Sequence, residues 1–89
     1  MNLPDNLPIR SLSLDGEGNL WVGTNGGGLN KLDKRTGRVR YYTTKDGLPN
    51  DVVYGIEADE QGNLWLSTNK GLARFDPRTG RSRNYDASD

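Results

Sequence analysis

The side chains best suited to chemistry come in duplicate. Asp15, Glu17 and Asn19 set oxygen atoms at alternate positions, as a short calcium-ligating loop does, and Asp59, Gln61 and Asn63 repeat the set with an amide at its centre. No glutamate follows either set at the distance at which such a loop supplies its bidentate ligand. The expected role is therefore a hairpin one, in which Asp and Asn side chains bond the backbone of their own turn. Asn25, Gly26, Gly27 and Gly28 resemble a phosphate-cradling loop but lack the lysine and the following helix that give such loops their chemistry, which predicts a strand-to-strand turn. Asp33, Thr36 and Arg38, with Asp76, Thr79 and Arg81, read as turn chemistry and local ion pairing, because a unique active site is not normally duplicated. Trp21 and Trp65 could stack on sugar rings. Each lies between two apolar neighbours, which predicts buried core instead. Tyr41, Tyr42 and Tyr85 are expected on an outer strand, in an edge or packing role.

Nothing here assembles into a catalytic set. The 89 residues include no histidine and no cysteine, and no serine has an evident activating base. No catalytic, metal-binding or cofactor-binding residue is assigned, no cofactor is expected, and the chain is read as not an enzyme. Disulfides and cysteine-based zinc sites are excluded. Twelve basic and twelve acidic residues cancel and are interspersed, so neither nucleic acid nor an anionic membrane surface is an expected partner. No apolar stretch approaches the length of a membrane span or of a signal-peptide core.

The elements that position these residues also come twice. The segment DGEGNLWVGTN at 15–25 returns as DEQGNLWLSTN at 59–69, and LDKRTGR at 32–38 returns as FDPRTGR at 75–81. A period in the low forties with four strand-like segments per repeat is the signature of a propeller blade. The first repeat predicts strands over 9–14, 19–24, 29–32 and 38–43, and the second over 52–58, 63–68, 72–75 and 81–85. No segment carries a sustained 3.6-residue apolar period, so essentially no helix is expected. The expected fold is all-β: two four-stranded antiparallel blades, over residues 1–46 and 47–89. Consecutive apolar residues at Leu20, Trp21 and Val22, and at Leu64, Trp65 and Leu66, place apolar groups on both faces of each sheet, as radially stacked blades require.

The compound motif resembles the two-component regulator propeller repeat. The resemblance rests on LPNDVV at 48–53, DEQGNLWLSTN at 59–69, GLARFDPRTG at 71–80 and Tyr85, with matching positions through Asn6 to Tyr42 in the first repeat. It implies an extracytoplasmic sensor propeller of bacterial hybrid histidine kinases, a periplasmic setting, and a carbohydrate or small ligand as a possible partner. A second resemblance, to virginiamycin-lyase-like propellers that share the Gly-Asn-Leu-Trp blade motif, implies chemistry that needs a histidine, and none is present.

Two blades do not close a ring. Each open end exposes apolar surface, and the two ends differ, so the expected self-contact is head to tail, which closes into a ring or propagates. The expected partner is the chain itself, as a homo-oligomer: a tetramer of eight blades first, a trimer of six next. The starting Met and the matched blade ends point to an engineered or excised two-blade unit.

Overall fold

A computed structural model describes residues 9–85. These form two antiparallel meanders: β1 (Ile9–Leu14), β2 (Asn19–Thr24), β3 (Leu29–Asp33) and β4 (Val39–Tyr42) in blade 1, and β5 (Val53–Ala58), β6 (Leu64–Thr68), β7 (Gly71–Asp76) and β8 (Arg81–Tyr85) in blade 2. All eight expected strands are present, with their ends moved by one residue at most. The expected limits of the two repeats take in residues 1–8 and 86–89, which lie outside the described residues. Val52, expected to begin a strand, instead makes an isolated bridge to Asn25, its N–H held by Asn50 Oδ1 at 2.8 Å.

Register sorts the side chains into faces. In blade 1, Trp21 lies across from Lys31, which lies across from Arg40, with Leu29 and Tyr42 one step along the same face. In blade 2, Ile56, Leu66 and Ala73 lie across one another, beside Leu64 and Phe75. These two faces meet, and with Leu48 of the linker they form one buried cluster. Phe75 sets its ring edge-on to both Trp21 (centroids 5.5 Å, 66°) and Tyr42 (4.8 Å, 68°), the arrangement that aromatic quadrupoles favour. The sheets pack along β1 and β5 and diverge toward β4 and β8, which is the wedge of a propeller.

Each first strand carries one extra residue. Pairing jumps between Ile9 and Ser11 and between Val53 and Gly55, which leaves Arg10 and Tyr54 at bulges on the two innermost strands.

As expected, there is essentially no helix among the described residues, and the linker holds the one short exception. Thr44–Asp46 form a single 3₁₀ turn, closed by a capping box. Thr43 Oγ1 accepts from Lys45 N–H, the Asp46 carboxylate accepts from Thr43 N–H, and Gly47 ends the turn at φ 107°. Three residues are too few for an apolar period to show.

Gly28 is fixed by space as well as by angle. Its φ is +76°, and a Cβ there would lie 2.1 Å from the carbonyl oxygen of Tyr42. Gly26, at φ +112°, has open space around it. Gly26→Ala is expected to cost only the backbone penalty, about 1–2 kcal/mol. Gly28→Ala is expected to cost clearly more, measured by denaturant unfolding of the two variants side by side.

Candidate functional site

The acidic hairpins form an indole clamp. Asp15 Oδ1 accepts from the N–H groups of Glu17 and Asn19, each at 2.9 Å. Its Oδ2 accepts from Asn19 Nδ2 at 3.0 Å and from the Trp21 indole Nε1 at 2.9 Å. Asp59 repeats this with the N–H groups of Gln61 and Asn63 and with Trp65 Nε1, all at 2.9 Å. The aspartate oxygens that could have ligated calcium are taken up by N–H donors, and among the described residues no three acidic or metal-binding side chains gather. The turn role read from the sequence is thus the observed geometry for the two aspartates, whereas the Asn19 side chain bonds the Asp15 carboxylate rather than the turn backbone. The link to the indole was missed, although the six-residue Asp-to-Trp spacing in both repeats is its signal.

The other polar candidates resolve similarly. The N–H groups of Gly26 and Gly28 donate to the carbonyl of Asp51 at 3.1 and 2.8 Å, and that of Gly27 donates to Thr24 Oγ1, so the glycine-rich turn presents no free amide nest. Asp33 Oδ1 and Asp76 Oδ1 accept from the N–H groups of Arg35 and Arg78, while Thr36 and Thr79 accept from those of Arg38 and Arg81. The local ion pairs are made with Arg35 and Arg78, not with Arg38 and Arg81. Tyr42 is a core residue, whereas Tyr41 is exposed.

What remains is the outward face of blade 2, and it copies the inner face of blade 1. Trp21 and Tyr42 stand 6.0 Å apart at 30°, and Trp65 and Tyr85 stand 5.9 Å apart at 28°. Lys31 and Arg40 lie over the first pair, and Arg74 and Arg83 lie over the second. Equivalent residues differ mainly in cover. Leu29 is fully buried while Leu72 is 43% exposed. On the opposite-facing sides, Ile56 is 9% exposed while Leu12 of blade 1 is 58% exposed. The middle of that blade 1 face is buried at Val22, Asn30 and Leu32. Asn30 stands where blade 2 has Ala73, and neither of its amide atoms has a partner among the described residues. Trp21, read as core, is core, whereas Trp65 is half-buried on the open face.

A cleft of about 540 Å³ also opens between the two acidic hairpins, with Glu17, Asn19, Lys31, Gln61, Asn63 and Arg78 among its lining. Its charges are mixed, and the carboxylates of Asp15 and Asp59 at its edge are already committed to donors.

These folds have close likenesses. The family profile described as a two component regulator propeller matches residues 2–26 and 47–70. The extracellular domain of a putative one component system from B. thetaiotaomicron superposes with a TM-score of 0.83 at 27% identity, over 92% of this chain and 13% of that one. The extracellular domain of a putative hybrid two component system from the same organism gives 0.75 at 27% identity, over 90% and 11%. This chain therefore spans only a small part of those chains. No curated protein matches it.

The clamps set a pH dependence. At Asp15 burial raises the carboxyl's pKa, but the donors Asn19, Trp21 and Glu17 together hold it below the ordinary aspartate value. At Asp59 the Asn63 N–H is the leading cause of a shift in the same direction. A lowered folded-state pKa gives stability that is complete above the unfolded value, near pH 4, and is lost as pH falls through the folded value. Thermal unfolding followed against pH is expected to be level above about pH 5 and to drop below about pH 4. Asp15→Asn is expected to shrink that drop and to lower stability at neutral pH by about 1–3 kcal/mol, since the substituted amide offers fewer acceptors and the Trp21 N–H stays buried.

Proposed function

The chain belongs to the two-component regulator propeller family, and from that premise we propose that it is a blade pair whose task is assembly. Its outward faces dock head to tail on further copies of the same chain until a propeller closes. The observation that carries this reading is the repetition of the internal junction on the outward face of blade 2. The Trp65–Tyr85 pair has the spacing, the tilt and the two overlying cations of the pair that already packs against a neighbouring blade, with Arg74 standing where the first pair has Lys31. The receiving side offers Leu12 and Leu14, both more than half exposed, on the inner strand of blade 1. Burying such surface contributes on the order of 25 cal/mol per Å² before the costs of association.

One substitution bears on ring size. Gly23 faces β5 so closely that a Cβ would lie 3.0 Å from Val53 Cγ1 and from its carbonyl oxygen. Blade 2 has Ser67 at the equivalent place, so a junction made by its outward face holds the inner strands further apart. Wider inner spacing lowers the wedge angle and favours the larger ring, a tetramer of eight blades over a trimer of six.

A second reading is ligand capture in a sensor propeller. It is favoured by the similar structures, which are extracellular domains of one and two component systems. On this reading the chain is an extracytoplasmic segment, and the polar cleft between hairpins takes a carbohydrate or other small ligand.

Mass in solution separates the two readings. Sedimentation equilibrium is expected to give a concentration-stable tetramer. Leu72→Arg, which adds a third cation beside Arg74 and Arg83, is expected to reduce it to monomer with its β signal retained. A wild-type chain that stays a folded monomer overturns the assembly reading, and saturable binding by that monomer in a glycan panel supports the second.

A further inference from the structure

The bulges put two chemically matched residues where neither sheet face needs them. Arg10 and Tyr54 occupy equivalent extra positions on β1 and β5, outside the alternation that fills the blade junction, and both are exposed. β1 and β5 are the edge strands at which the two sheets converge, and in a closed propeller these edges surround the axis. The Arg10 guanidinium lies 6.0 Å from the centroid of the Tyr54 ring. Among the described residues it makes no ion pair, so its hydrogen-bond donors are uncommitted. The Tyr54 hydroxyl donates to Asn69 Oδ1 in the β6–β7 turn, which fixes the ring toward that end of the blades.

Among the described residues, no carboxylate at this end pairs with the guanidinium. The β2–β3 turn, 25–28, carries no charge, and the β6–β7 turn carries Lys70. The linker carries Lys45, Asp46 and Asp51. Its two carboxylates accept from the N–H groups of Thr43 and Thr44 within the linker itself.

We propose that the assembled ring has a ligand site at this axial mouth, a collar in which Arg10 guanidinium groups alternate with Tyr54 rings. It binds a small polyanion with a flat face. The guanidinium forks take the anionic oxygens in paired hydrogen bonds, and the phenol rings meet the flat face. The site rests on the head-to-tail ring, because each copy supplies one arginine and one tyrosine and only closure brings several together. Its ligand class differs from a neutral sugar, for which the collar has no need of uncommitted arginines.

Pyrene tetrasulfonate, a flat fluorescent tetra-anion, is the probe. It is titrated into wild-type protein, Arg10→Gln and Tyr54→Leu, with the mass of each sample measured by light scattering. Expected are saturable binding at one probe per ring, weakening as salt is raised, and a loss of affinity of about a hundredfold or more in Arg10→Gln at unchanged mass. Tyr54→Leu is expected to weaken binding by less and to lower its dependence on the probe's aromatic face, tested against a non-aromatic tetra-anion. A ring of the expected mass that does not bind, or that binds equally well as Arg10→Gln, overturns the collar and leaves the ring standing. A monomer mass overturns the ring and the collar with it.

Discussion

Everything in this chain follows from sheets that are apolar on both sides. A four-stranded meander with one apolar face is satisfied by a single partner layer. Here the alternation of Trp21 with Leu20 and Val22, and of Trp65 with Leu64 and Leu66, leaves no face of either sheet for water alone. One face of blade 1 and one of blade 2 satisfy each other, with Phe75 seated edge-on between Trp21 and Tyr42. The outward face of blade 2 shows what an unfilled junction looks like, whereas the outward face of blade 1 is exposed at Leu12 and Leu14 and buried at Val22, Asn30 and Leu32. Leu72 and Leu12 are exposed where their counterparts Leu29 and Ile56 are covered.

Local devices make the repeated sheet possible with so few apolar residues. Each acidic hairpin uses one carboxylate to collect the turn N–H groups and the indole N–H of the tryptophan six residues on. That carboxylate closes the turn and also satisfies the indole N–H, which at the buried Trp21 would otherwise lack a partner at a cost. The glycine-rich turn after β2 lends its amides to the linker carbonyl of Asp51, so the chain between blades is tied back to the blade it has just left. Residues that look like chemistry in the sequence are therefore spent on turns, a general hazard in Gly-, Asp- and Asn-rich repeats, where the atoms that ligate ions are also those that cap turns.

The structures similar to this chain belong to much longer polypeptides. The similar extracellular domains are several times longer, and this chain matches only a small share of each. A blade within a long array receives its neighbours from the same polypeptide. A blade pair with the same two-sided sheets has the same need, and that need is the ground for the assembly proposed above.

The sequence by itself determined the strands, their order and the turns between them. Each of these depends on local patterning, period-two apolar alternation punctuated by glycine and aspartate, and it was written twice. It also placed Asp15 and Asp59 in turns and Trp21 in the core. It did not reveal that Asp15 holds the Trp21 indole, that Arg35 rather than Arg38 pairs with Asp33, or that Thr44–Asp46 form a helical turn. Those depend on side-chain directions over a few residues, which patterning leaves open. Only the tertiary structure decided which tryptophan is covered. Trp21 and Trp65 have the same neighbours and the same clamp, so nothing local separates them. What differs is whether another sheet lies across the face, and that is settled by the packing of one blade on the next.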